Sequence, residues 1–250
     1  MDIAGVTIYS DLEDLLTKLL IEKIDKYLKE IIGNTEDYSK YIKSITLSKG
    51  IKNLSGTNID ECSHFMGDEG YDPSTKEITI LVGDKIPLVY ENIFHEIQHA
   101  KNSGADFSNL VLREKYPFIF DFIDEYIAYK KSINYMIRKE LKGNEKILGW
   151  YLKVVGDRNI EYEDIINENI EYLNTINIRE KYNDNYVKLN NNMYNNTYSF
   201  AYMLSKKRIL GIEGYDTKFR RLIKELDKVS DRITNIDCRA IEKVFKAIIF

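Results

Sequence analysis

The segment from Gly70 to Gly104 constrains the fold more than any other part of the chain. It begins with the turn-rich residues GYDPSTK, continues with the β-branched run EITILV at 77–82, and ends with a helical pattern from Pro87 to about Asn102. Short β-branched runs bounded by turn residues are typical of strands. Proline suits the first turn of a helix, and Gly104 suits its end. The segment therefore predicts a strand followed directly by a helix.

Outside this segment, the spacing of apolar residues predicts helices, apart from one more strand over Tyr41–Leu47. Ser10 and Glu13 have the spacing of a capping box, and apolar residues at helical spacing follow them. Further helical patterns lead to an α+β fold with a helical C-terminal extension. The predicted helices cover about 11–32, 114–141, 160–174, 198–210 and 216–248, and the Asn-rich NDNYVKLNNNMYNN predicts a loop.

Two glycines, Gly143 and Gly149, flank a predicted junction in the chain. We therefore expect one domain over 1–145 and a helical C-terminal region over 146–250. The 44% apolar and 12% aromatic composition is that of a folded protein.

Charge and cysteine usage narrow the class of protein. The net charge of −4 gives no global reason to expect binding to nucleic acid or to a membrane surface. The N-terminus lacks a signal-peptide pattern, and no apolar run reaches the roughly 20 residues of a membrane helix. Two distant cysteines fit reduced thiols, so we expect a cytoplasmic protein. The oligomeric state stays open.

Two of the three histidines, His95 and His99, stand four residues apart in the motif HEIQH. Residues i and i+4 share one face of a helix, so both imidazoles can bind one metal ion. Zn²⁺ fits because it takes tetrahedral nitrogen and oxygen ligands. Glu96 is then placed to take a proton from a zinc-bound water, the role of Glu in H-E-x-x-H sites. The alternative is an accidental pair of surface or packed histidines.

A hydrolytic zinc site also needs a third protein ligand and an open position. The longer spacing H-E-x-x-H-x-x-G-x-x-H/D is not present, because Asn102 and Ala105 occupy its glycine and ligand places. Asp106 comes one residue late. The third ligand is therefore expected to be a carboxylate from the next helix.

Three acidic residues, Asp121, Asp124 and Glu125, stand in the apolar segment FIFDFIDEYIAY. A carboxylate in such surroundings is costly unless it is paired or bound to a metal. We choose Glu125, because the small Ala128 one turn later lets another helix approach closely. For Asp121 and Asp124, the solvated stripe of an amphipathic helix is the expected alternative.

These residues resemble a known family. FHEIQHA, followed about 25 residues later by DEYIAY, resembles the gluzincin zinc metallopeptidases, whose third ligand is a glutamate in an E-x-x-A context. GYDPSTKEITILVG is similar to the edge strand before HExxH in compact ImmA/IrrE-like peptidases. The resemblance covers about 40–140. It implies a small mixed sheet whose edge strand packs on the motif helix, with His95, His99 and Glu125 as zinc ligands and Glu96 as the base.

The resemblance also implies how a protein or peptide substrate binds. Its backbone would pair with the edge strand through Ile78, Ile80 and Val82. For the residue that stabilises the oxyanion we choose Tyr198, with Tyr194, Tyr202 and His64 as alternatives.

One position departs from the thermolysin-like pattern. Those gluzincins have an Asp four residues after the ligand Glu, where this chain has Tyr129. Support for the histidines then has to come from Tyr129, Asp124 or a backbone carbonyl.

The expected function is zinc-dependent peptide-bond hydrolysis by a metalloendopeptidase acting on a specific intracellular protein. One alternative is a zinc-binding regulatory or protein-interaction module of the same fold without turnover. Another is a zinc-dependent toxin or phage factor that cuts a single host protein. Glu96 separates enzyme from scaffold, because a scaffold has no need of a general base.

Overall fold

The computed structural model describes residues 1–49, 70–104, 117–157 and 217–230, and the helical residues 201–202, 204–205, 208–209, 239–240, 243–244 and 247. The chain divides into two compact units, Met1–Asp106 and Phe107–Phe250. The described strands and helices confirm the predicted α+β class. The predicted domain boundary at 145/146 stays a prediction.

The first unit contains five strands and two helices among its described residues. They are β1 (Asp2–Ile3), β2 (Val6–Ser10), α1 (Asp14–Ile31), β3 (Ser44–Lys49), β4 (Gly70–Asp72), β5 (Glu77–Val82) and α2 (Ile86–Ser103).

The strands form one mixed sheet in the order β1-β2-β3-β5-β4. β2, β3 and β5 are parallel, whereas β1 and β4 are antiparallel to their neighbours. The register aligns Ile8, Ile45 and Ile78 across the three parallel strands, and all three side chains are buried. Alternate residues of each strand face this core, as the side-chain period of two requires. α2 packs against β4, β5 and α1.

The predicted edge strand is wrong in one respect: β5 lies inside the sheet, and β4 is its last described strand. The turn after β4 explains the difference. The Asp72 carboxylate accepts hydrogen bonds from the backbone N–H and hydroxyl of Ser74, at 2.7 and 2.6 Å, which lower its pKa. The N–H of Lys76 donates to the carbonyl of Asp72 at 2.7 Å. The chain therefore folds back, and β4 pairs with Glu77–Thr79.

The sequence did not predict β1 and β2. They are joined by the two-residue turn Ala4–Gly5, with φ of 46° and 85°. Positive φ at both positions is typical of a type I′ hairpin turn. The Gly5 N–H donates to Asp2 Oδ1 at 3.1 Å, and a Cβ at Gly5 would lie 2.5 Å from Asp37 Oδ1. On its other side, β2 pairs in parallel with β3.

The predicted capping box at the start of α1 is wrong, although the helix itself is confirmed. The N-cap is Glu13, and its side chain makes no capping hydrogen bond. Ser10 is instead the last residue of β2, opposite Leu47 of β3. Its hydroxyl accepts from the Leu12 N–H at 3.2 Å and hydrogen-bonds the Thr17 hydroxyl at 2.8 Å. Because Ser10 pairs with β3 as part of β2, it does not serve as the N-cap of α1.

The second unit is helical in its described residues. It contains α3 (Pro117–Tyr135), a π-helical turn (Met136–Glu140), α4 (Glu145–Asp157) and α5 (Thr217–Ser230). The π-helical turn ends where the Leu141 N–H donates to the carbonyl of Met136 at 2.9 Å. α4 was not predicted, because Gly149 lies inside it rather than at a junction. The predicted helix at 160–174 and the Asn-rich loop lie outside the described residues. In the described part of the chain, no helix has both the length and the apolar character needed to cross a membrane.

Candidate metal centre

α2 positions the two histidines. It runs from Ile86 to Ser103 with Pro87 in its first turn, which confirms the predicted helix. Gly104 ends it with a φ of 76°, and its N–H donates to the carbonyl of Lys101 at 3.1 Å. The ring of Phe94, directly before the motif, meets that of Tyr27 on α1 edge to face, with centroids 5.4 Å apart. This apolar packing on α1 helps to set the rotation of α2.

His95 and His99 face each other within one turn of α2. Their Nε2 atoms are 2.9 Å apart, and each residue is only 7% exposed. The ring planes meet at 81°. A hydrogen bond between two imidazole nitrogens requires that one donates and the other accepts, so only one proton fits between them. The same arrangement allows two neutral imidazoles to offer both lone pairs to one metal ion.

Glu125 on α3 completes a group of three possible ligands. His95, His99 and Glu125 each offer one ligand atom, and these atoms lie within 4.8 Å of one another. Glu125 is also only 7% exposed. Two atoms bound to one zinc ion are roughly 3.4 Å apart, given bonds of about 2.1 Å at the tetrahedral angle. The two Nε2 atoms are 2.9 Å apart, and no two ligand atoms of the group are more than 4.8 Å apart, so the observed distances bracket that value. This buried His–His–Glu group could hold a metal ion.

The donor set fits zinc chemistry. Two imidazole nitrogens and one carboxylate are the ligands of the hydrolytic His₂Glu zinc sites, which keep a fourth position open. A buried carboxylate is costly unless it is paired or bound to a cation, so burial of Glu125 beside two imidazoles agrees with this role.

Glu96 lies at the edge of the group. Its Oε1 is 4.0 Å from His95 Nε2, and its side chain is 13% exposed. A carboxylate at this distance is beside the group without belonging to it, which is where a general base acting on a water molecule is needed.

Gly70, the first residue of β4, lies next to Glu96. A Cβ at Gly70 would be 3.8 Å from Glu96 Oε2, and its φ of 139° favours glycine. Sequence reasoning missed this neighbour. The sequence feature that could have indicated it is Gly70 itself, in the turn-rich segment that precedes the predicted strand at 77–82.

The other acidic residues of α3 do not join the group. Among the described residues, the possible metal ligands that come together are His95, His99 and Glu125. Asp121 is half-buried, whereas Asp124 is 4% exposed. The solvated stripe expected for Asp124 is therefore wrong, and its apolar neighbours in FIFDFIDEYIAY were the signal for burial.

Tyr129 is buried, and its ring meets that of Tyr202 edge to face with centroids 5.0 Å apart. Support of the histidines by Tyr129 or Asp124 stays a prediction. Tyr198, the residue chosen for the oxyanion, lies outside the described residues, as do Tyr194, His64 and Asp106.

The side chains of Ile78, Ile80 and Val82 are all buried in the core of the sheet. A substrate strand would therefore meet their backbone rather than their side chains. Over Glu77–Thr79 that backbone is paired with β3 on one side and with β4 on the other. Ile78 is thus already paired on both sides, which contradicts its predicted role in β-addition. The roles of Ile80 and Val82 stay predictions.

Replacing Glu125 with Ala is expected to lower zinc affinity by at least 10–100-fold, because a ligand matters no less than a residue that supports one. The matched control is Asp121→Ala, one helical turn earlier, which should keep most of the affinity. Competition titrations with a fluorescent zinc chelator measure both. A variant pair in which Asp121→Ala loses zinc and Glu125→Ala keeps it would contradict the ligand assignment.

The described part of the chain thus brings two imidazoles and a carboxylate together, with a second carboxylate beside them. No protein-family model matches the chain, and no curated protein or solved structure matches it significantly.

Proposed function

We propose that the protein is a zinc metallopeptidase that hydrolyses peptide bonds in a protein or peptide substrate. The observation that supports this most directly is the buried group of His95, His99 and Glu125, with the Glu96 carboxylate 4.0 Å from His95. This combination is the set of parts that gluzincin-type hydrolysis requires: three ligands and one base.

In the proposed reaction, the metal ion supplies polarisation and Glu96 transfers the proton. His95, His99 and Glu125 would hold the zinc ion, which would supply Lewis-acid polarisation of a carbonyl and a more acidic water, with a pKa of about 7. Glu96 takes the proton from the attacking water and then passes it to the amine that leaves. Its partial exposure suits this role, because the carboxylate has to meet both water and substrate.

The corrected sheet order changes the proposed route of the substrate. β4, rather than β5, is the last described strand, and it begins at Gly70 beside Glu96. An extended substrate that adds to β4 by backbone hydrogen bonds would pass the general base. The absence of a side chain at Gly70 leaves room there for the backbone of the substrate.

Glu96 also favours an enzyme over a zinc-binding scaffold. Both would need the three ligands, but only hydrolysis needs a carboxylate that stands beside the group and can exchange a proton.

A search for new protein termini tests the proposal, and it works for a substrate of any sequence. The full chain is incubated with a cell extract in three forms: as purified, after removal of metal with a chelator, and after zinc is restored. We expect new termini in the first and third samples and their loss in the second. The same termini in all three samples would exclude a metal-dependent peptidase.

A further inference from the structure

Three residues of the C-terminal part of the chain contact α3 directly around Glu125. Ser205 and Asp227 hydrogen-bond to α3, and Tyr202 packs against it. We call Tyr202, Ser205 and Asp227 the α3 support cluster. Each contact falls on a residue within five positions of Glu125, namely Tyr126, Tyr129 or Lys130.

Asp227 on α5 makes the largest number of polar contacts in the cluster. Its Oδ1 accepts from the Tyr126 hydroxyl at 3.0 Å and from Lys130 Nζ at 2.5 Å, while its Oδ2 accepts from Arg208 Nε at 2.9 Å. Burial raises the pKa of Asp227, but the hydrogen bonds from Lys130, Arg208 and Tyr126 outweigh it, so the pKa is below its ordinary value. The carboxylate therefore remains charged at neutral pH and holds two positions of α3 at once.

Ser205 fixes α3 through its backbone. The buried Ser205 hydroxyl lies 2.9 Å from the carbonyl oxygen of Tyr126 and 2.7 Å from that of Ala201. A helical carbonyl has a second lone pair besides the one used within the helix, so it can accept this additional bond. The one hydroxyl proton of Ser205 is shared between these two acceptors, so Ser205 links the backbone at Ala201 to that of α3 at Tyr126.

Tyr202 adds an aromatic contact one turn further along. Its ring meets that of Tyr129 at 74°, with centroids 5.0 Å apart. The two side chains are buried, so the contact also restricts rotation of α3 about its axis. Backbone, hydroxyl, ammonium and ring contacts together hold the stretch 126–130 that directly follows Glu125.

We infer that the α3 support cluster is a positioning device for the metal site, with Asp227 as its main residue. The inference rests on the proposed metal site and assigns to the C-terminal region the task of holding Glu125 at ligand distance. The side chains of a functional site must be held within about 0.5 Å of their productive positions. For Glu125, this requires neighbouring residues that restrict the movement of α3. None of the cluster residues belongs to the His–His–Glu group itself.

Cobalt binding to the full chain tests this inference, because Co²⁺ replaces Zn²⁺ and its visible spectrum reports the coordination geometry. The test variant is Asp227→Asn. The matched control is Glu225→Gln on the same helix, which breaks the 2.6 Å pair with Lys228, a contact within α5 itself. We expect Asp227→Asn to lose about tenfold in Co²⁺ affinity and to show an altered spectrum, with unchanged helical circular dichroism. Glu225→Gln should match the wild type.

A milder variant keeps the test decisive if Asp227→Asn does not fold. Tyr126→Phe removes a single hydroxyl and should change affinity and spectrum in the same direction by a smaller factor. A folded Asp227→Asn or Tyr126→Phe protein with the wild-type affinity and spectrum would overturn the positioning role alone. A wild-type chain that binds no Co²⁺ would instead overturn the proposed metal site.

Discussion

Replacing Glu96 with Gln is expected to lower peptide hydrolysis by about 10²–10⁴-fold or more, while zinc stays bound. Gln has nearly the same shape and keeps hydrogen-bonding atoms, but it cannot accept a proton from water. Because Glu96 lies beside the His–His–Glu group and is not part of it, the fold and the metal should survive the change. Counting new termini in a cell extract, together with the zinc content of each protein, measures both effects.

The control for this experiment is Glu22→Gln, the same change at an exposed position of α1. It should leave hydrolysis at the wild-type level. If the wild type and Glu96→Gln both leave the extract uncut, yet carry zinc and bind the same partner, the regulatory alternative replaces the peptidase.

The second large effect is expected from His95→Ala. It removes one of two imidazole nitrogens that lie 2.9 Å apart, so tight zinc binding should be lost. A metal that binds only the folded state stabilises it by about 2.7 kcal/mol at a concentration 100 times its Kd. The wild type should therefore gain thermal stability with zinc, whereas His95→Ala should not respond. Thermal unfolding with and without zinc measures this difference.

His64→Ala is the matched control, since it removes the one histidine outside the motif. It should keep the zinc-dependent rise in melting temperature. Equal responses of the wild type and His95→Ala would place the stabilising zinc elsewhere in the chain, and a loss of response in His64→Ala would add His64 to the ligand set.

The features that could be predicted from the sequence depend on local patterns. α2 was predicted because helical periodicity, Pro87 and Gly104 all agree within one segment. The histidine pair follows from helix geometry alone, since residues i and i+4 share a face. Glu125 needed one further step, the cost of a carboxylate in an apolar helix, and the resemblance supplied the E-x-x-A context.

The features that could not be predicted depend on partners that are distant in sequence. Ser10 has the local pattern of a helix cap, but pairing with β3 makes it a strand residue. β4 is only three residues long and lies in a turn-rich segment, so periodicity could not identify it. The contact of Asp227 with Tyr126 joins residues 101 positions apart. A local pattern contains no information about such a pairing.

Elemental analysis of the full chain, purified without chelator, tests the central claim most directly. We expect about one zinc ion per chain in the wild type and almost none in His95→Ala, because the buried His–His–Glu group provides the ligands. A wild-type protein that takes up no metal even after incubation with zinc, or one whose metal content His95→Ala leaves unchanged, would contradict it.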